Sequence, residues 1–253
     1  MSTTDSAAIW RSPEAIAQFL QSVRASIPLT IEQIDMMLRL VTAARGTRVE
    51  RFLDLGCGEG MLSAALLEEH PNSEAWLVDF SSSLLHGARR RLQSRGEAVH
   101  FIEADFSHAK WTHSVAAGAP FDVVVSALSM HHLPDDRKRA LYAEVFDLLK
   151  PEGIFINIEH VSSATRWTES IWNDYMIDSI FGETIKAAPG KTRAEVAREY
   201  YAQAREVAQP LAPLEVHCDW LREIGFESVD CYLKILELAV FGGQRPRVSL
   251  PGE

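Results

Sequence analysis

Acidic side chains recur at the ends of short apolar runs. Asp54 lies inside Arg51-Phe52-Leu53-Asp54-Leu55, Asp79 closes Ala75-Trp76-Leu77-Val78, and Asp105 follows Val99-His100-Phe101-Ile102. Read as strand ends, these positions put carboxylates where they meet small molecules. Asp54 can face a cationic amine, and Asp79, at the tip of a second strand, can accept from both hydroxyls of a ribose. After the first run comes Gly56-Cys57-Gly58-Glu59-Gly60. Its glycines allow a tight turn and a close backbone approach to a ligand. The pattern is G-x-G-x-G, neither the G-x-G-x-x-G of a dinucleotide site nor a phosphate loop ending in Gly-Lys-Ser/Thr. His131, His132, Glu159 and His160 follow two later apolar runs. A histidine that titrates near neutrality suits a general base.

The elements that must position these residues alternate. Apolar runs at 52–55, 75–78, 99–102, 121–126 and 154–158 read as strands. The helices between them carry apolar stripes: Leu62, Ala65 and Leu66 in 61–69, Leu84, Leu85, Ala88 and Leu92 after Ser81–Ser83, and Leu141, Val145, Phe146 and Leu149 in 134–149. Arg89-Arg90-Arg91 on the second of these reads as a solvated face or an anion patch. Residues 107–120 read as a polar loop, and Lys150-Pro151-Glu152-Gly153 as a type I turn. Two helices precede the first strand. One starts at Ser12-Pro13 and runs to about Arg24. The other is capped by Thr30 with Gln33 as partner and buries Ile31, Ile34, Leu38 and Val41 before Gly46. From 161 to 210 the alternation breaks into two helices, the first closed by Phe181-Gly182. A helix from Leu214 to Ile224 follows, then strands at 227–233 and 235–241 ended by Gly242-Gly243.

Strand–helix alternation predicts an α/β fold with a parallel sheet and right-handed crossovers. At Leu53-Asp54-Leu55-Gly56-Cys57-Gly58-x-Gly60 the chain resembles the class I S-adenosylmethionine (AdoMet)-dependent methyltransferases. The resemblance continues through Asp79, Ala104-Asp105-Phe106, Phe121–Ser126, His131-His132-Leu133 and Leu148-Leu149-Lys150-Pro151-x-Gly153. It implies a Rossmann-like, seven-stranded, mostly parallel sheet of order 3-2-1-4-5-7-6, with the last strand antiparallel. On this reading residues 1–47 form an N-terminal helical cover and 48–160 the AdoMet-binding core. Residues 161–210 form an inserted helical cap, and 211–253 a helix and hairpin that complete the core.

The same resemblance implies roles. Amides of the turn at Gly56 and Gly58 approach the methionyl part of S-adenosyl-L-methionine, Asp54 its amine and Asp79 its ribose. Asp105 accepts from the adenine amino group, with Phe80 and Phe106 flanking the ring, and Ser126 projects into the same crevice. His131, Glu159 and His160 are the candidate catalytic groups beside the methyl. Trp172 and Tyr175 are expected to contact the acceptor.

The expected reaction is in-line methyl transfer to a small, partly apolar acceptor. A net charge of −10 disfavours a large nucleic-acid footprint. Even so, Arg24-x-x-Ile27-Pro28 and the C-terminal hairpin also resemble enzymes of tRNA wobble modification, including those that carboxylate AdoMet. A third reading is a non-catalytic AdoMet-binding subunit. Cys57, Cys218 and Cys231 have no paired spacing, so no metal is expected and a reducing cytoplasm is. No apolar run is long enough to span a membrane. A homodimer is compatible with all of this.

Overall fold

A computed structural model describes residues 27–46, 48–206 and 211–247. The chain divides into two compact units, one of Ile31–Ser162 with Leu211–Glu253, the other of Met1–Thr30 with Ser163–Pro210. The predicted helix at 13–24, and Arg24 with it, lie outside the described residues.

The larger unit contains helix α1 (Thr30–Arg45, beginning one residue earlier), then β1 (Arg51–Leu55), α2 (Met61–Glu69), β2 (Glu74–Asp79), α3 (Ser82–Leu92) and β3 (Val99–Glu103). After these come α4 (Trp111–Val115), β4 (Phe121–Ala127), α5 (Asp135–Leu148) and β5 (Leu149–His160). With β6 (Glu227–Ile235) and β7 (Leu238–Gln244) the strands form one seven-stranded sheet of order β3-β2-β1-β4-β5-β7-β6. The first five pair in parallel, and the terminal hairpin adds β7 antiparallel to β5. This is the order implied by the family resemblance.

Both faces of the sheet are covered, which is why its strands read as continuous apolar runs rather than alternating ones. Phe52, Leu77, Val123 and Ile156 pack with Met37 and Val41 of α1, Leu66 of α2 and Ala88 of α3. Leu53, Val78, Val124 and Phe155 face the other way, against Trp111 of α4, Leu141 and Val145 of α5, and residues of α8 (Leu214–Ile224). Fully burying one such side chain contributes about 1.5–3 kcal/mol, so these two layers hold the strand ends in register.

Several local readings are corrected. In α1 Val41 is buried and Ile34 and Leu38 pack against the core as expected, but Ile31 is 80% exposed and Gln33 and Met37 are the other buried residues. Thr30 is already helical, and its hydroxyl donates to the Ile27 carbonyl rather than capping with Gln33. The 107–120 loop contains α4, because Trp111 is a core side chain. Lys150–Gly153 does not separate two elements. It bulges out of a continuous β5, so that Phe121 pairs with Leu149 but Val123 with Ile154. The hairpin β6 (Glu227–Ile235) to β7 (Leu238–Gln244) turns at Leu236 and Glu237, not at Lys234. Gly242 and Gly243 lie inside β7, where a Cβ on Gly242 would collide with the Phe155 carbonyl of β5.

The smaller unit, within its described residues, is a pair of helices. Helix α6 (Arg166–Ala187) starts with a Thr165–Thr168 capping box and runs through Gly182, which does not close it. A helical glycine costs about 1 kcal/mol against alanine, which a 22-residue helix absorbs. Helix α7 (Arg193–Glu206) is tied to it by Arg193 on Asp174 and Asp178 and by the Tyr200 hydroxyl on Asn173.

Candidate functional site

The carboxyl ends of β1, β2, β4 and β5 lie side by side. Leu55 is in register with Val78 of β2 and with Ser126 of β4, which itself faces Asn157 of β5. The chain leaves β1 through Gly56, Gly58 and Gly60, all with φ between 53° and 74°. Only glycine adopts that region at little cost. At Gly56 the need is also steric, since a Cβ there would collide with Ser129.

The turn is fastened to β2. The Gly56 and Cys57 amides donate to the Val78 carbonyl at 2.8 and 3.0 Å, and the Gly58 amide donates to Asp79 Oδ2 at 2.9 Å. The other oxygen of Asp79 accepts from the Ser81 amide at 2.9 Å. The expectation that the Gly56 and Gly58 amides point at a ligand is therefore corrected: both are turned inward. Asp54 is buried, and its Oδ2 accepts from the Ser63 hydroxyl at 2.6 Å and the Ser63 amide at 3.2 Å. That carboxylate braces the first turn of α2. Ser126 is fully buried and donates to the Leu55 carbonyl at 2.7 Å, with Ser129 Oγ 2.8 Å away. Phe80 is half-buried and Asp105 exposed, with Asp105 Oδ1 accepting from the Ser107 amide. Phe106 is packed into the core.

The histidine half is held by side chains. Glu159 is fully buried, and Oε2 accepts from the Met130 and His131 amides at 2.9 and 3.2 Å. Its Oε1 meets His131 Nδ1 at 2.6 Å and the His160 amide at 2.8 Å. Burial alone would push this carboxyl up. The His131 charge, the His131 hydrogen bond and the His160 amide outweigh burial and hold it at about 2. It is therefore an ionised acceptor and not a proton carrier near neutrality. An ionised carboxylate accepts only, so His131 Nδ1 carries the hydrogen and Nε2 is the basic nitrogen.

Two neighbouring rings stay neutral. Burial, aided by His131, lowers His132 to about 3. Burial likewise lowers His217 to about 4 against the pull of Glu159. His217 Nδ1 is 2.7 Å from the Tyr142 hydroxyl, joining α8 to α5. His160 Nε2 lies 2.8 Å from Oε2 of Glu237.

Sequence reasoning missed Glu237. The available signal was one acid in the apolar run Ile235-Leu236-Glu237-Leu238. The turn that projects it puts Leu236 at φ 51°, a costly conformation for leucine. Trp172 is buried on α6, with Tyr175 36% exposed and its ring 6.5 Å away.

Residues 52–153 match the family model described as a methyltransferase domain. Carboxy-S-adenosyl-L-methionine synthase of Chromohalobacter salexigens is 24% identical over 89% of this chain and 79% of that protein. Demethylmenaquinone methyltransferase of Thermus thermophilus is 32% identical over 48% of this chain and 52% of that protein. Human N-acetylserotonin methyltransferase, solved with its cofactor, superposes with a TM-score of 0.61 at 15% identity. It covers 96% of this chain, which spans 59% of that one. Residues 52–153 are thus a methyltransferase domain, set in a chain whose fold is that of the AdoMet-dependent methyltransferases. S-adenosyl-L-methionine is the cofactor named with two of these proteins.

The residues present suit that cofactor. A buried carboxylate at the end of β2 is an acceptor for a ribose diol, and Asp79 stands there. The half-buried Phe80 ring follows it, and the exposed Asp105 lies beyond the neighbouring strand. Among the described residues no group of His, Cys, Asp and Glu is arranged to hold a metal ion, and no helix is long and apolar enough to cross a membrane.

Proposed function

We propose that this methyltransferase acts on a small, partly apolar acceptor carrying an ionisable hydrogen, with His131 taking that hydrogen. Bound AdoMet supplies a methyl group already activated by a sulfonium. The protein's share is then alignment and the handling of charge. Asp79 would hold the ribose, Asp105 the adenine edge and Phe80 the ring face. Phe106, packed in the core, would contribute from behind. Asp54 would act through its brace on α2 and Ser126 through its hold on the end of β1.

The observation that carries the acceptor side is the His131–Glu159 contact at 2.6 Å. An ionised Glu159 fixes the ring, keeps the tautomer with Nε2 basic, and stabilises the imidazolium once the proton has moved. His160, held by Glu237, would serve as a polar wall beside it. Trp172 and Tyr175 stay in the proposal as acceptor contacts. A net charge of −10 favours a small acceptor over RNA.

A second reading has its own support. Several relatives whose similarity covers 86–90% of this chain bear the name carboxy-S-adenosyl-L-methionine synthase. Mass spectrometry of the cofactor separates the two. The purified chain is incubated with AdoMet and panels of small phenols, amines and carboxylic acids. Methyl transfer yields S-adenosylhomocysteine together with a methylated acceptor, and His131→Ala should slow it by about a hundredfold or more, the scale of general-base catalysis. A carboxylated cofactor without S-adenosylhomocysteine would replace the first reading with the second.

A further inference from the structure

The three arginines of α3 are all exposed, and two of them also hold specific contacts. The Arg89 guanidinium lies over the Phe101 ring, 5.1 Å from its centroid. Arg91 Nε donates to the main-chain carbonyl of Glu59 at 2.9 Å. Glu59 is the residue between the last two glycines of the cofactor turn. Its side chain lies over Gly87 of the same helix, where a Cβ would stand 2.7 Å from Glu59 Oε1 and 2.8 Å from Cγ. One step on, a Cβ at Gly60 would meet Ala88, Leu77 and Leu92 at 3.3 Å each.

The turn therefore has two anchors. Its first half, Gly56 to Gly58, is fastened to β2 by the Val78 carbonyl and Asp79. Its second half, Glu59 and Gly60, rests on α3. Gly58 has φ 53° and Gly60 φ 74°, so the segment between the anchors depends on both for its shape.

We infer that Arg91 and Gly87 are positioning residues for the cofactor, clasping Glu59 so that the second half of the glycine turn keeps its binding shape. The inference rests on the assignment of this turn to AdoMet. Arg91 supplies a donor to the main chain, and Gly87 supplies the space in which the Glu59 side chain lies.

Calorimetric titration with AdoMet, paired with the melting temperature of the unliganded protein, tests the clasp. Arg91→Ala should weaken AdoMet binding by about three- to tenfold, the range for one hydrogen bond. The unliganded melting temperature should hardly move, because Arg91 is exposed. Arg91→Lys, which keeps a donor on a long stem, should recover part of the loss. Arg90→Ala on the same helix should bind as the parent does. Gly87→Ala should weaken binding by displacing the Glu59 side chain. That loss should vanish in a Glu59→Ala background, whereas the Arg91→Ala loss should persist there, because Arg91 holds the main chain. Parent-like affinity in Arg91→Ala, or a lowered melting temperature with unchanged affinity, would overturn the clasp while leaving the cofactor assignment intact. A parent chain that binds no AdoMet would overturn both.

Discussion

Around the glycine turn the donors are mostly backbone amides; around the histidines, imidazole rings meet side-chain carboxylates as well. The turn's bonds run to residues close in sequence, as from Gly58 to Asp79. The pairs on the histidine side span the chain, as from His160 to Glu237 and from Tyr142 to His217. Backbone bonds give shape and tolerate most side chains. Buried carboxylates give charge and a fixed tautomer, and they are expensive to leave unpaired. The first kind of construction suits a cofactor common to many enzymes, and the second suits the handling of one acceptor's proton.

The largest expected effect lies on the histidine side. Glu159→Ala removes four contacts from a fully buried carboxylate, and breaking such a pair costs about 3–5 kcal/mol. Urea unfolding near neutral pH should show that loss. The pH dependence sharpens it. Glu159 is depressed from 4.5 to about 2, so its stabilisation is complete above 4.5 and is lost as the pH falls through 2. His132 and His217 are lowered from 6.5 to about 3 and about 4. The unfolded chain therefore takes up their protons first, and stability falls as the pH drops below 6.5. The parent should weaken progressively from pH 6.5 downward, with Glu159 adding to the slope below 4.5. Unchanged stability in Glu159→Ala would erase the contrast between the two halves.

The cofactor side should respond in affinity first. Asp79→Ala should weaken AdoMet binding by about 1.5–3 kcal/mol, the scale of hydrogen bonds to a charged group. Asp79→Asn should lose less, since one oxygen still accepts. The alanine variant also leaves the Gly58 and Ser81 amides without their acceptor, so its melting temperature should fall as well. Calorimetric titration on both variants decides. Parent-like binding in both would detach β2 from the cofactor.

The same division explains what could be read in advance. The strands and their parallel direction were legible because buried parallel strands leave continuous apolar runs, and their order followed from the family resemblance carried by the local glycine turn. The fastening was not. Nothing in Gly56 or Gly58 says whether an amide faces a ligand or Val78, and Asp54 reads alike whether it meets an amine or Ser63. Glu237 escaped notice because its partner is distant in sequence and its turn depends on a leucine at positive φ, where turn chemistry normally calls for glycine or asparagine. Periodicity alone puts Ile31 inside with Ile34, Leu38 and Val41, yet Ile31 is exposed and the packing adds Gln33 and Met37 to that face. Lys150–Gly153 did carry the residues of a turn, but pairing with β7 resumes at once and makes it a bulge.

The smallest effect concerns Asp54, whose two assignments Ser63 can separate. The Ser63 hydroxyl and amide both donate to Oδ2 of Asp54, at 2.6 and 3.2 Å. Ser63→Ala deletes the first bond and keeps the second. It also places a better helix former in α2, which offsets a few tenths of a kcal/mol. The net loss of stability should be about 1 kcal/mol, since a buried charged acceptor loses one of its donors. If Asp54 is a brace for α2, AdoMet affinity should stay within about twofold, because the turn remains fastened through Val78, Asp79 and α3. If Asp54 instead serves the cofactor's amine, loosening its carboxylate should change affinity more than it changes stability. Chemical unfolding and calorimetric titration on this one variant report the two quantities independently. A tenfold change in affinity with an unmoved unfolding midpoint would return Asp54 to the ligand and make the cofactor side, like the histidine side, a site built on side-chain charge.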